Sequence, residues 1–203
     1  MDLELAGKVI ALTGASRGVG RAIAERLAAE GAAVAIAARS AQELADAHAV
    51  IEGHGGRCLA YACDLSVPGE AAAFIGAVTE IFGRLDGLVC NATMATGQGR
   101  EGQEREAWQA ELALNLGHAV EAVEAVLPAL ASPGAIVLVA PKSGNDWPAT
   151  ACRGGLEAVI GHFASKAAGR INLIGKDAEA LADSVAFLLS ARAVAINGAM
   201  LGA

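Results

Sequence analysis

Short apolar runs alternate along the chain with longer stretches in which apolar residues recur every three or four positions. The first pattern predicts strands buried on both faces of a sheet, and the second predicts amphipathic helices. The predicted strands are 9–12, 34–37, 58–62, 88–90, 136–139, 170–174 and 194–200. The predicted helices are 18–30, 41–52, 69–82, 104–130, 150–168 and 177–190.

This strict alternation of strand and helix predicts one fold class. Consecutive parallel strands are joined by right-handed crossovers, which place helices on both faces of the sheet. We therefore expect an α/β, Rossmann-type, doubly wound parallel sheet of about seven strands, in a single domain spanning 1–203. A ligand is expected at the carboxyl ends of the strands, near the point where the strand order reverses.

Composition and charge narrow the classes of partner. The net charge is −7 and the basic residues are scattered, which argues against nucleic acid as a partner. Hydrophobic residues make up 54% of the chain, yet no apolar run reaches the roughly 20 residues of a spanning helix. Residues 1–8 lack the basic-then-apolar order of a signal peptide, so we expect a cytoplasmic protein that does not bind membranes.

The four cysteines give no support for a metal site. They form no Cys-x-x-Cys pair, and no histidine cluster lies near them in the sequence. We expect them to be reduced and buried, and no metal to be bound. They are Cys58, Cys63, Cys90 and Cys152.

A glycine-rich loop, Thr-Gly-Ala-Ser-Arg-Gly-Val-Gly at 13–20, follows the first predicted strand and opens the first predicted helix. Its glycines let the backbone turn sharply and approach a pyrophosphate, and the helix N-terminus offers N–H groups and a positive dipole end. The loop therefore predicts a dinucleotide site, although a purely structural strand-to-helix turn is the alternative.

The chain resembles the short-chain dehydrogenase/reductase family in this loop, in Cys63-Asp64-Leu65, in Asn91-Ala92-Thr93 (the family has Asn-Ala-Gly) and in Asn115. The resemblance extends over nearly the whole chain, from 7 to 198. It implies that Asp64 and Leu65 contact the adenine, and that Asn91 and Ala92 line the ribose. The expected cofactor-binding residues are Gly14, Ser16, Arg17, Gly18, Val19, Gly20, Arg39, Ser40, Asp64, Leu65, Asn91 and Ala92.

Charge at the end of the second strand indicates which cofactor is bound. An acid about 20 residues after the loop would bind the ribose hydroxyls of NAD. This chain has Ala38-Arg39-Ser40 there, and Arg17 lies inside the loop. Two guanidiniums fit the additional 2′-phosphate of NADP, so NADP(H) is predicted over NAD(H). The alternative is that Arg39 is a solvated surface residue.

The residues expected to form the catalytic site differ from those of the family. Members of the family use a Tyr-x-x-x-Lys pair with a Ser and an Asn. Position by position, Ala149 stands for the Tyr, Arg153 for the Lys and Pro141 for the Ser. The one tyrosine, Tyr61, lies in the third strand on the adenine side. The candidate catalytic residues are therefore Asn115, Lys142, Ser143 and Arg153.

Two further segments bear on the reacting end. His162-Phe163-Ala164-Ser165-Lys166 imitates the family motif, but the next strand begins four residues later and leaves no room for the crossover helix. The family's Pro-Gly after the sixth strand is reduced to Gly175-Lys176. The next helix follows at once, so the substrate lid of the family is expected to be missing.

Three hypotheses on function follow. The first is an NADP(H)-dependent oxidoreductase with an atypical site, in which Asp146, Cys152 or His118 could also act; a quinone or an activated iminium needs the least acid help. The second is a non-catalytic NADP(H)-binding sensor, scaffold or silent subunit. The third is a structural partner that has lost cofactor binding.

The resemblance also predicts an assembly, since family members pair through the helices at 104–130 and 150–168. A homodimer or homotetramer is expected from apolar residues there: Val120, Val123, Val126, Val159, Ile160 and Phe163.

Overall fold

The computed structural model describes residues 2–94, 105–142, 147–166, 169–177 and 180–202. Its strands form one parallel sheet of seven strands in the order β3-β2-β1-β4-β5-β6-β7, which confirms the predicted doubly wound α/β class. The strands are β1 Val9–Thr13, β2 Ala33–Ala38, β3 Cys58–Ala62, β4 Leu85–Cys90, β5 Leu130–Ala140, β6 Arg170–Gly175 and β7 Met200–Leu201.

The helices cover both faces of the sheet. They are α1 Gly18–Ala29, α2 Ala41–Gly53, α3 Glu70–Phe82, α4 Arg105–Leu112, α5 His118–Val126, α6 Trp147–Phe163 and α7 Leu181–Leu189. Phe74, Val123 and Leu156 pack on one face of the sheet, and Ile23 and Val185 pack on the other. Because both faces are covered, the strands are apolar without alternation.

The predicted helix 104–130 differs from the observed elements. A π-helical turn, Ala113–Gly117, separates α4 from α5, and α5 ends at Val126. Leu127 still has helical backbone and its N–H bonds to the Val123 carbonyl, but Pro128 has no backbone N–H with which to continue this hydrogen-bond pattern, so the helix ends there. Strand β5 then begins at Leu130, which pairs with Leu85.

The predicted strand 194–200 is wrong for most of its length. A 3₁₀ turn occupies Ala191–Ala193, and β7 contains only Met200–Leu201. The guanidinium of Arg170 donates to the carbonyls of Leu188, Ser190 and Ala193 at 2.7–2.9 Å. Since these bonds satisfy the backbone of the turn, the apolar run at 193–196 is not available to the sheet.

Two expectations about buried residues need adjustment. Cys63, Cys90 and Cys152 are buried as expected, but Cys58 is only half-buried. Of the six residues taken to indicate an interface, Val123, Val126 and Ile160 belong to the core of the chain itself. The other three, Val120, Val159 and Phe163, are half-buried.

The reversal of strand order creates the position for a ligand. Strand β1 pairs with β2 on one side and β4 on the other, so the connections after β1 and β4 run to opposite faces. The crevice left between them opens at Thr13 and Cys90. On the far side of the crevice, β6 ends at Gly175 and α7 begins at Leu181, so only a short stretch of chain connects them, in line with the expected absence of the family's lid.

The described residues were compared with the requirements of a membrane span and of a metal site. None of the helices described there combines the length and apolar character that a membrane crossing requires. Within the same part of the chain, no group of three or more metal-ligating side chains is present.

Candidate functional site

A cavity of about 460 Å³ lies at the carboxyl ends of the strands, in the crevice between β1 and β4. Eleven of the twelve predicted cofactor-binding residues line it: Gly14, Ser16, Arg17, Gly18, Val19, Gly20, Arg39, Ser40, Leu65, Asn91 and Ala92. The twelfth, Asp64, lies between two lining residues. Sequence reasoning missed six lining residues: Ala38, Glu43, Cys63, Thr93, Leu114 and Lys176.

The glycines of the loop do different things. A Cβ on Gly14 would lie 2.6 Å from Ala92 Cα, and one on Gly20 would lie 2.5 Å from Asn91 Nδ2, so both permit close packing of loop against β4. Gly18 has a φ of +56°, and a Cβ there would have no described atom within 4 Å. Gly18 therefore leaves open space at the start of α1, as an approaching pyrophosphate would require.

The N-terminus of α1 is suited to an anion. Its N-cap residue is Arg17, and an arginine side chain has no acceptor with which to cap the helix. The N–H groups of the first turn are thereby left for a ligand, and the positive end of the helix dipole favours a negative one.

A buried network holds the floor of the cavity. Thr13 Oγ1 accepts from the backbone N–H groups of Asn91 (3.0 Å) and Ala92 (3.2 Å) and lies 3.2 Å from His118 Nε2. A hydroxyl that accepts twice has one proton left to donate, so Nε2 accepts it. The Nδ1 atom of His118 then donates to the carbonyl of Leu114. The network therefore fixes the ends of β1 and β4 against α5.

His118 is neutral in this network. Burial lowers the pKa of His118 to about 4, although the hydrogen bond to Leu114 acts in the opposite direction. Both ring nitrogens have partners on the protein side. His118 therefore supports the cavity floor, and the cavity lining does not include it.

Asn91 supplies an unsatisfied acceptor in the cavity wall. Its Nδ2 donates to the carbonyl of Gly14 at 2.9 Å. Its Oδ1 is buried and has no hydrogen-bond partner among the described residues. Such an atom costs about 1–3 kcal/mol unless a ligand donates to it. The orphaned acceptor, the space over Gly18 and the uncapped helix together fit a nicotinamide dinucleotide.

The end of the cavity near Arg39 is the expected adenosine end, and it contains both positive and negative side chains. Ser40 caps α2 by accepting from the N–H of Glu43 at 3.2 Å. The Glu43 carboxylate accepts from Ser16 Oγ at 2.9 Å and lies 3.7 Å from Arg17 Nη1. Glu43 thus engages two residues assigned to the cofactor. The sequence did not predict this role of Glu43, because Glu43 lies in the first turn of a helix and the predicted adenosine-side residues lie at strand ends.

Asp64 is held as a carboxylate beside this end. Hydrogen bonds from Ser66, and to a lesser extent the charge of Arg39, lower the pKa of Asp64. The two bonds come from Ser66 Oγ (2.7 Å) and the Ser66 N–H (3.0 Å). Asp64 therefore fixes the turn after β3, next to Leu65 in the cavity wall.

The candidate catalytic residues are not gathered at the cavity. Asn115 accepts from the Met94 N–H at 2.7 Å and donates to the Met94 carbonyl at 2.8 Å, so it holds the segment after β4. Lys142 is 77% exposed and lies 3.7 Å from Asp177. The Nε atom of Arg153 lies 3.4 Å from Glu157. None of these three described residues lines the cavity, and Ser143 and Asp146 lie outside the described residues.

Lys176 occupies the end of the cavity that Asn115, Lys142 and Arg153 do not reach. Its backbone N–H donates to the carbonyl of Ala140 at 3.1 Å, and its Nζ donates to Thr93 Oγ1. Burial lowers the pKa of Lys176. The sequence contains one signal for this role: Lys176 comes directly after a strand, at the carboxyl edge of the sheet where a ligand is expected.

The imitation motif at 162–166 lies far from this site. His162 Nε2 is 2.9 Å from Lys166 Nζ, and both side chains are exposed. His162 lies in the last turn of α6 and Lys166 lies just after it, and α6, roughly 25 Å long, carries the chain from the carboxyl edge toward the start of β6. Tyr61 also has a packing role, since its ring lies 5.6 Å from that of Phe74.

Comparison with known proteins agrees with this geometry. The family model for short chain dehydrogenase matches residues 8–173. A rhamnolipid-biosynthesis 3-oxoacyl-[acyl-carrier-protein] reductase of Pseudomonas aeruginosa is 36% identical over 127 residues, which cover 63% of this chain and 49% of that reductase. The chain spans about half the length of the curated relatives that it matches.

Solved structures extend the likeness over nearly the whole chain. A short chain dehydrogenase from Mycobacterium smegmatis superposes with a TM-score of 0.91 at 27% identity, covering 99% of this chain and 92% of that one. A metagenomic short-chain oxidoreductase in complex with NADP superposes with a TM-score of 0.83 at 31% identity, covering 91% of each chain. The fold, the glycine-loop cavity and the matching family model show that this chain belongs to the short-chain dehydrogenase family.

Proposed function

We propose that this protein binds NADP(H) in the cavity and acts as an oxidoreductase whose active site lacks the Ser, Tyr and Lys of its family. The observation that carries the proposal is the cavity wall, which unites the uncapped start of α1, the unsatisfied Oδ1 of Asn91 and two guanidiniums. The pyrophosphate would lie against Gly18, and a ribose hydroxyl would donate to Asn91.

The preference for NADP(H) rests on the charges at the adenosine end. Arg17 and Arg39 both line the cavity there, and guanidiniums bind phosphate by charge-assisted hydrogen bonds. The side chain of Arg17 is 81% exposed and lies 3.7 Å from Glu43, a weak surface ion pair, so it can turn to a phosphate at little cost. Among the similar solved structures, the metagenomic oxidoreductase holds NADP and a carveol dehydrogenase from Mycobacterium avium holds NAD, so the proposed preference rests on these charges alone.

The bound cofactor would supply or accept a hydride at the end of the cavity near Thr93. The residues of this chain would then hold the dinucleotide, exclude water and provide a proton. Since Pro141, Ala149 and Arg153 replace the family's acid machinery, we propose an acceptor that needs little acid help. A quinone or an activated iminium fits this requirement.

A non-catalytic NADP(H)-binding protein is the second candidate. It is favoured by the same three replacements, because no tyrosine stands where the family's proton donor would be. In that case the protein would act as a sensor, a scaffold or a silent subunit, and cofactor binding itself would be the function.

Thermal unfolding and turnover distinguish these candidates. We expect NADPH to raise the melting temperature more than NADH at equal concentration, since a ligand that binds the native state stabilises it. We also expect NADPH to be oxidised when phenanthrenequinone is added. Binding without oxidation of NADPH by this quinone, simple ketones or a cyclic iminium would favour the non-catalytic protein. No stabilisation at millimolar NADPH would refute both.

We also propose a homodimer or homotetramer formed through α4–α5 and α6. The half-buried residues Val120, Val159 and Phe163 provide the apolar surface for it. Light scattering at micromolar concentration should then give at least twice the mass of one chain, and a monomeric mass would contradict the proposal.

A further inference from the structure

The order of the strands determines which half of a bound dinucleotide lies at each end of the cavity. Arg39 follows β2, Gly14 follows β1 and Thr93 comes shortly after β4, and these three strands are neighbours about 4.8 Å apart. With the pyrophosphate at the glycine loop and the adenosine toward Arg39, the reacting half of the dinucleotide points toward Thr93. The residue that meets it there is Lys176.

Lys176 reaches this end from a more distant strand. It follows β6, which is separated from β4 by β5. Its backbone bonds to Ala140 at the end of β5, while its Nζ extends back to the hydroxyl of Thr93. The ammonium therefore lies over the carboxyl ends of β4 and β5, half-buried in the cavity wall. One of its three N–H donors bonds to Thr93, and the described residues provide no acceptor for the others, which could therefore serve a ligand.

Of the described residues that line this end, Lys176 alone carries an ammonium group, and its burial favours release of a proton. The lining residues are Ala92, Thr93, Leu114 and Lys176, and a threonine hydroxyl is far too weak an acid. We infer that Lys176 is the proton donor of the active site and that Thr93 positions it. This inference rests on the proposed oxidoreductase function.

The step balances in atoms and electrons. As the carbonyl carbon of the substrate gains the hydride of NADPH, the carbonyl oxygen takes a proton from Lys176 Nζ. An N–H bond breaks and an O–H bond forms, the cofactor is oxidised to NADP⁺, and the substrate is reduced to an alcohol. The lysine remains as a neutral amine and regains its proton from water. Burial of the ammonium favours this proton loss.

The first test measures Lys176 without turnover. Acetic anhydride labels neutral amines, and mass spectrometry reads the rate at each lysine. Lys166, which is exposed and remote from the cavity, is the internal control. We expect Lys176 to react at a pH below its ordinary pKa of 10.5, because burial lowers that pKa. Saturating NADPH should slow the labelling of Lys176 about tenfold, while the labelling of Lys166 changes less than about twofold.

The second test separates proton donation from charge. Lys176→Arg keeps the positive charge but cannot release a proton at neutral pH, and Lys176→Met removes both. With phenanthrenequinone as acceptor, we expect both variants to lower kcat about tenfold, which is less than a general acid usually contributes because this quinone needs little acid catalysis. The arginine variant should bind NADPH within about threefold of wild type, and Lys166→Met should leave both quantities unchanged. The pH dependence of kcat should also disappear in the arginine variant.

The outcomes are distinct. If NADPH binds but does not protect Lys176, or if Lys176→Arg keeps wild-type kcat, the lysine assignment is wrong and the proposed function stands. If Lys176→Arg restores activity that Lys176→Met lacks, the lysine is an anion anchor and not a proton donor. If wild type binds no NADPH, the proposed function is wrong and the assignment falls with it.

Discussion

The two ends of the cavity were built in different ways. At the adenosine and phosphate end, backbone geometry dominates: Gly14 and Gly20 let the loop pack closely against Asn91 and Ala92, and Gly18 leaves open space. The spacing of these glycines is visible in the sequence. At the reacting end a single side chain matters, and the structure brings Lys176 there from β6. Binding of phosphate needs a whole loop, whereas a proton donor can come from any strand that ends nearby.

The largest expected effect comes from Gly20 at the phosphate end. In Gly20→Ala the new Cβ would overlap the carbonyl oxygen of Gly14 and lie 2.5 Å from Asn91 Nδ2. We expect the free energy of unfolding to fall by about 3 kcal/mol or more, with loss of NADPH binding. The measurement is urea unfolding of the purified variant.

A second helical glycine provides the matched control. Gly76 lies in α3, and a Cβ there would meet nothing within 4 Å. Gly76→Ala should therefore raise stability by about 0.5–1 kcal/mol. Equal stability of the two variants would show that the loop does not pack against β4 as described.

His118 tests the floor that supports the phosphate end. His118→Leu leaves the Thr13 hydroxyl and the Leu114 carbonyl without their partner, so we expect a loss of about 2 kcal/mol at neutral pH. The wild-type protein itself weakens in acid, because burial lowers the pKa of His118 from its ordinary value of 6.5 to about 4 in the folded chain. At pH values between about 4 and 6.5, His118 is protonated in the unfolded chain but neutral in the folded one, so lowering the pH favours unfolding.

The stability difference between wild type and His118→Leu should therefore shrink as the pH falls from about 6.5 to about 4, and shrink no further below that. Melting temperatures of both proteins across this range provide the check. A difference that is constant with pH would mean that His118 is not buried as the neutral base.

Much of the fold and the phosphate end could be predicted from the sequence. The apolar runs gave the sheet, and eleven of twelve assigned residues line the cavity, because glycine spacing and strand ends are local features. Glu43 and Lys176 were missed because their roles depend on where α2 and β6 lie in three dimensions. The strand at 194–200 failed for the same reason, since the bonds from Arg170 that hold the turn come from β6.

Arg39 tests whether the adenosine end of the cavity binds a 2′-phosphate. Arg39→Met should weaken NADPH about tenfold, because one charge-assisted contact to the 2′-phosphate is lost. The affinity for NADH should stay within about twofold. Fluorescence titration with both cofactors is the measurement, and Arg57→Met is a charge-matched control whose guanidinium lies over Phe82, outside the cavity. Equal losses for both cofactors would contradict a 2′-phosphate site.

Glu43 should give the smallest effect. Glu43→Gln keeps an oxygen for Ser16 but removes the negative charge beside Arg17, so NADPH should bind about threefold more tightly. Glu52→Gln removes the same charge from the last turn of α2 and should leave the affinity unchanged. A weaker affinity for NADPH in Glu43→Gln would instead make Glu43 a cofactor ligand.

The central claim is that the pyrophosphate of NADP(H) occupies the space over Gly18. Gly18 and Gly7 both have positive φ, +56° and +72°, and a Cβ on either would lie more than 4 Å from the atoms of the described residues. Gly18→Ala and Gly7→Ala should therefore lose similar stability, about 1–2 kcal/mol. Titration with NADPH should show binding at least about tenfold weaker in Gly18→Ala and unchanged in Gly7→Ala. Equal affinities in the two variants would contradict the claim.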